Sequence, residues 1–349
     1  MKYFVIGFLL CLIVVGGKLS SLYLQPACDS TEQVEVFEVL PGSSFIGVTK
    51  RLKELHIISS EFGFKVLATI LGFTKKIRVG EYAISCENTP LEILQTLASG
   101  KSITRPITFP EGYNMYEMAE LVEKSGIAKK EEFLQWTTDK DYIRELLGVD
   151  LHSLEGYLFP ETYSITKYDG AKKLIRIMVE RFNRVFNKVR KQAQISSNYH
   201  PFSRHDAVIL ASIIEKETGA PEERPLISSV FHNRLRKKMR LQTDPTVLYG
   251  ILDMTKEMKK NITKKDLQTP SRYNTYTMRG LPYGPIANPS EQALLSALSP
   301  ESSSYLYFVS RNNGTHVFSE TLAQHNDAVK MFQLDKKMRE GRSWRDLKR

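Results

Sequence analysis

The run AVILASIIEKETG, Ala207–Gly219, places Val208, Ile209, Leu210, Ile213 and Ile214 so that almost no polar side remains before Ser212. A helix apolar on nearly every face belongs inside a fold. Ser203, three residues before Asp206, supplies its start signal, and Gly219 predicts a left-handed stop. Upstream the period changes. Val34–Leu40 alternates as a strand does, Pro41-Gly42 turns the chain, and Ser44 caps a helix over Phe45–Leu55. A second amphipathic segment covers Glu61–Leu71. Arg78–Ser85 reads as a strand, and Thr89-Pro90 opens a helix over Leu91–Ala98 that Gly100 stops. Ile103–Phe109 reads as another strand before the turn Pro110-Glu111-Gly112, and helical patterns fill Met115–Ser125, Lys130–Trp136 and Asp141–Leu147. Ala171–Gln194 is a long basic helix, and Tyr305–Ser310 with Thr315–Phe318 reads as a β-hairpin. The fold class is therefore α+β. A small mixed module over 30–102 precedes a larger, mainly helical domain with a hairpin over 103–330, and a basic tail closes the chain over 331–349.

The buried helix ends in Glu215-Lys216-Glu217. Two residues apart means a rotation of roughly 200°, so the two acids face opposite sides. Glu217 shares the stripe of Leu210, Ile213 and Ile214, and Glu215 that of Val208, Ala211 and Ser212. A carboxyl held against large apolar side chains is poorly solvated and keeps its proton to higher pH, which prepares it to act as a general acid. Glu215 suits a structural partner such as an Arg. The plainer alternative is a pair of solvated last-turn acids, although carboxylates there oppose the helix dipole. Glu155 and Glu161, in the aromatic-rich LEGYLFPETY (154–163), are the rival carboxylates.

Composition narrows the setting. The chain has 349 residues, 42% hydrophobic and 25% charged, which is ordinary globular content. A formal charge of +10 suits an anionic partner: nucleic acid, a membrane surface or a carboxylate-bearing wall polymer. No nucleic-acid motif accompanies it, so a nucleic-acid partner is not expected. Tyr3–Val15 is uncharged and apolar between Lys2 and Lys18, and continuing to Leu24 gives about 20 residues, enough to cross a bilayer. Residues 1–25 are accordingly expected to form an uncleaved transmembrane signal anchor. The N-terminus would be cytoplasmic and the acidic stretch from Asp29 onward exported. Cys28 and Cys86 would then lie where a disulfide is permitted, though spacing alone does not fix the pairing.

Neither a His-Glu-x-x-His zinc motif, nor a phosphate-binding glycine loop, nor a Gly-x-Ser-x-Gly elbow occurs, and no cofactor or metal is expected. His316 and His325, nine positions apart, read as structural or substrate-contacting. Carboxylate chemistry is what remains.

Glu217-Thr218 resembles the Glu-Ser/Thr pair of lytic transglycosylases. With ASIIEKETG (211–219), VFHNRL (230–235), MRLQTDPTVLYG (239–250), YNTY (273–276), GLPYGPIANP (280–289) and LEGYLFPETY, the chain closely resembles the MltG/YceG family of endolytic murein transglycosylases. The likeness runs in order from about Val34 to Asn326. It implies a LysM-like subdomain over 30–102, a YceG-like catalytic domain over 103–330, and attachment to the plasma membrane with the catalytic part outside. It also implies Glu217 as the catalytic acid and then base. Gln242, Thr243, Asp244, Tyr273, Asn274, Thr275 and Tyr276 become the expected substrate-binding set, with Glu215, Asn233 and Arg234 in support. The expected partners are peptidoglycan glycan strands, the cell membrane and peptidoglycan synthases. Where the family commonly has Gly-Leu-Pro-Pro-Gly, this chain has Gly280-Leu281-Pro282-Tyr283-Gly284. Two other readings remain open: a hydrolase of the same bond, and a catalytically silent wall-binding scaffold.

Overall fold

The computed structural model describes residues 25–28 and 35–334. The expected membrane anchor, up to Leu24, and the basic tail from 335 onward lie outside the described residues. No helix among the described residues is long and apolar enough to cross a membrane.

One unit comprises residues up to Pro106 together with Ser164–Gly170. Strand β1 (Glu35–Val39) leads through helices α1 (Phe45–Glu54) and α2 (Glu61–Ile70) to β2 (Gly80–Ile84), and α3 (Pro90–Ser99) follows. β1 and β2 pair antiparallel, with Phe37 opposite Tyr82. Their alternation sends Phe37, Val39, Tyr82 and Ile84 into a core with Leu52, Phe64, Leu94 and Leu97. Ser44, Ser60 and Thr89 cap the three helices through their hydroxyls.

A disulfide joins Cys28 to Cys86 with Cα atoms 5.3 Å apart, and the Ala27 N–H donates to the Cys86 carbonyl at 2.8 Å. Its ends are 58 residues apart. A cross-link of that span stabilises by about 2–4 kcal/mol, largely by restricting the unfolded chain. Cys86→Ala is expected to lose that amount in thermal unfolding. Of the three cysteines, the denatured wild type should titrate one thiol before reduction and all three after.

The chain passes to the second unit in β3 (Arg105–Thr108) and returns to the first in β4 (Thr162–Ile165), and these strands pair. The second unit is mainly helical: α4 (Met115–Lys124), α5 (Lys130–Thr138), α6 (Lys140–Leu147), α7 (Gly170–Gln194), α8 (Arg204–Glu217), α9 (Arg224–Arg236), α10 (Asp244–Thr255), α11 (Lys264–Gln268) and α12 (Glu291–Leu298). Hairpin strands β5 (Tyr307–Ser310) and β6 (His316–Ser319) and helix α13 (Leu322–Val329) complete it. Every residue of α8 from Ala207 to Glu215 is buried. α12, α9 and α10 pack on it, and α7 adds Phe182, Val185, Phe186 and Val189 to the same core.

One detail of α8 matches the sequence-based expectation and one departs from it. It begins at Arg204, capped by Ser203, whose hydroxyl accepts from the Asp206 N–H. It ends at Glu217 because Thr218 turns extended, with φ −132° and ψ 140°, so the stop owes nothing to a left-handed Gly219. The Thr218 hydroxyl accepts from the Ala220 N–H at 2.9 Å and holds that exit.

Candidate active site

Glu217 is the last helical residue of a buried helix, which brings a carboxyl up from the core to a half-buried position. Burial raises its pKa from the ordinary 4.5 to about 7. The Thr243 hydroxyl and the Arg234 charge oppose that rise, while the Asp244 charge adds to it. The Thr243 oxygen is itself buried and lacks a well-aligned hydrogen-bond partner among the described residues. The site can therefore present a partly protonated carboxyl at neutral pH beside the Thr243 hydroxyl.

On the opposite face, Glu215 is only 9% exposed. Arg224 Nη2 donates to its Oε1 at 2.7 Å, and the Ser290 N–H to its Oε2 at 2.9 Å. Arg224 also reaches Gln292, on α12. Removing one partner of a buried ion pair strands the other charge. Arg224→Met is expected to cost about 3–5 kcal/mol in denaturant unfolding, whereas Arg224→Met combined with Glu215→Gln should recover part of it.

The rival acids are likewise committed to protein partners. Glu155 is fully buried, and burial pushes its pKa to about 8. It accepts from the Met115 N–H, the Tyr249 hydroxyl at 2.8 Å and Asn288 Nδ2 at 3.0 Å. Glu161 takes a two-pronged bond from Arg181.

The residues expected to bind substrate divide into two groups. Thr243, Asp244 and Tyr276 gather around Glu217, since Tyr276 donates to Asp244 Oδ1 at 2.6 Å and feels the Glu217 charge. Gln242 is exposed next to them, held left-handed at φ 51° with its N–H on the Thr275 carbonyl. Tyr273, Asn274 and Thr275 form the buried framework behind. Tyr273 bonds His152 at 3.0 Å, and Asn274 donates to the carbonyls of Asp266, Leu267 and Thr269. Thr275 accepts from the Thr243 N–H at 3.0 Å and so fixes the Thr243 backbone. Asn233 and Arg234 buttress segments away from Glu215. Asn233 donates to the carbonyls of Ser303 and Tyr305, and Arg234 to those of Leu306 and Leu241.

Asn288 is a residue whose weight the sequence did not reveal. It joins the Glu155 carboxyl, the Tyr113 carbonyl and the Leu158 N–H from a segment with no regular structure. Only its place in the GLPYGPIANP motif marked it. Tyr283, the departure in that motif, is 50% exposed, with the Arg272 guanidinium 4.5 Å from its ring centre. A cavity of about 220 Å³ lined by Tyr113, Tyr116, Glu120 and Met258 shares no residue with the Glu217 group.

A family model described as the YceG-like family matches residues 37–331. The endolytic murein transglycosylase of Bacillus subtilis (strain 168) is 31% identical over 339 residues, covering 92% of this chain and 91% of that protein. The protein of the same name from Streptococcus pneumoniae (strain ATCC BAA-255 / R6) is 27% identical. Its match takes in 88% of this chain but 61% of its own length. A crystal structure of a YceG-like protein from Listeria monocytogenes aligns with a TM-score of 0.57 at 32% identity, covering 85% of this chain and 100% of that one.

Proposed function

The chain belongs to the YceG-like family, and from that premise we infer that it is an endolytic murein transglycosylase, a lyase that cuts peptidoglycan glycan strands. The observation that carries the chemistry is Glu217, half-buried at a helix end with its proton held to about pH 7.

One such group serves both halves of the reaction. Glu217 protonates the oxygen bridging N-acetylmuramic acid to N-acetylglucosamine as the C1–O bond breaks. The carboxylate so formed takes the proton from the muramic acid C6 hydroxyl, O6 closes on C1, and a 1,6-anhydro end results with no water consumed. Holding O6 against C1 is the positioning part of catalysis. Thr243, Asp244, Tyr276 and Gln242 are the groups around Glu217 that suit this task. Asp244 is the one feature that favours a hydrolase, because ordinary glycoside hydrolysis uses two carboxylates. Its bond from Tyr276 favours a role in orientation and charge instead.

This scheme predicts a pH profile. Because the acid must start protonated, kcat/KM falls as pH rises through about 7. Asp244→Asn removes a negative charge that raises the Glu217 pKa, so the falling limb should move to lower pH in assays on purified peptidoglycan. A limb left in place would remove Glu217 from the titrating role.

We read residues 1–25 as a single-pass anchor in the plasma membrane, with the catalytic unit extracytoplasmic and peptidoglycan synthases as neighbours. The apolar run Tyr3–Val15 and the disulfide, a bond of oxidising compartments, support that reading. The β-α-α-β order of β1, α1, α2 and β2 supports a LysM-like module.

A further inference from the structure

Half of the large apolar side chains exposed on the described residues belong to the smaller unit: Val36, Leu40, Ile46, Leu55, Phe62, Ile70, Leu71 and Val79. They are most pronounced on α2. Phe64 and Ala68 face the core, while the other side of the helix carries Phe62 (73% exposed), Val66, Thr69 and Ile70 (76% exposed). Three exposed cations, Lys75, Lys76 and Arg78, follow at its C-terminal end, with the Lys76 ammonium 5.5 Å from the Phe73 ring centre. An exposed aromatic and aliphatic stripe with basic residues following it in the chain suits an interfacial helix. It submerges its apolar side to the level of the acyl chains and leaves its cations among anionic headgroups.

We propose that the outer face of α2 docks on the surface of the membrane that anchors the chain, with Phe62, Val66 and Ile70 in the lipid and Lys75, Lys76 and Arg78 against anionic headgroups. The proposal rests on the reading of residues 1–25 as a membrane anchor. Chain length supports the choice of occupant. Cys28 is tied to the unit through Cys86, and only Pro26 and Ala27 separate it from the end of the anchor at Gln25. Fully extended, that tether reaches about 10 Å. The unit therefore stays within roughly its own diameter of the bilayer, where a weak surface affinity is enough to hold it. Docking of this kind would hold the smaller unit at a fixed height on the bilayer.

The test uses the full chain in lipid nanodiscs containing brominated acyl chains. Phe62→Trp is compared with Val149→Trp, an exposed position (51%) in the other unit, after subtracting the signal of the wild type. Docking predicts at least several-fold stronger quenching at position 62 than at 149. The excess should grow when anionic lipid replaces zwitterionic lipid, and shrink when Lys75→Gln and Lys76→Gln are added. Equal quenching at both positions overturns the proposal. So does a position-62 signal indifferent to lipid but shifted by added glycan strands, which would assign the face to the wall polymer. If the full chain separates from the nanodiscs on gel filtration, the anchor reading fails and the docking proposal with it. Retention on the discs with equal quenching removes docking alone.

Discussion

Glu217→Gln is expected to lower turnover on peptidoglycan by about a thousandfold or more, because one carboxyl performs both proton transfers and each is worth roughly 10²–10⁴. Gln keeps the shape and donates no comparable proton. The substitution should also leave the protein more stable than wild type at neutral pH. The folded-state pKa of about 7 lies above the ordinary 4.5, so the folded form prefers the protonated acid. Stability contributed by that preference is present at low pH and is lost as pH rises from about 4.5 through about 7. Gln has no proton to lose. The variant should match wild type near pH 4 and exceed it at pH 8 by on the order of 2 kcal/mol, after discounting for partial exposure. Loss of activity with a gain in stability is the pattern of a strained functional group. Loss of both would mark Glu217 as structural, and Glu215→Gln provides the contrast, since it should lose stability.

Gly156→Ala is expected to damage folding through the backbone and the packing together. Gly156 sits at φ +85°, and a Cβ there would lie 2.6 Å from Pro285 Cβ and 2.7 Å from Val208 Cγ1. Left-handed strain of about 1–2 kcal/mol adds to about 1–3 for overpacking, so a loss of roughly 2–5 kcal/mol is expected. That is a large share of a stability of about 5–15. The damage spreads because three elements converge at this point: Glu155 one residue away, α8 through Val208, and the 282–290 segment through Pro285. Gly126→Ala is the control, at φ +75° with nothing within 4 Å of the added carbon. Denaturant unfolding should show about 1–2 kcal/mol there. Equal losses at the two positions would mean that the close approach at Gly156 relaxes freely.

The local periodicities of the chain carried most of the small unit and α4 to α8, because amphipathic faces and hydroxyl caps are written in neighbouring residues. Phe45–Leu55 and Met115–Ser125, for example, each end within one residue of the observed helix. The second half was harder to read. α9 and α12 are mixed in polarity because their polar residues are buried against partners far along the chain: Arg224 on Gln292, Ser228 on the Ser296 carbonyl, and Asn233 on 303–305. β4 is four residues long and owes its existence to pairing with β3. In the site, helix geometry separated Glu215 from Glu217 and pointed the former toward an Arg. It could not tell which YNTY residues face the acid. Tyr273 and Tyr276 differ by one helical turn in sequence and by burial in fact. Motif strings mark that segment without dividing its surface from its framework.

Closure of O6 on C1, driven by Glu217, leaves a mass signature in the product. The most direct measurement is the mass of the new sugar ends released from peptidoglycan by wild type and by Glu217→Gln. Ends lighter by one water than a hydrolytic product are expected with wild type and should be absent with Gln. Hydrated reducing ends would make the enzyme a hydrolase, and undiminished anhydro ends with Gln would move the acid to another residue.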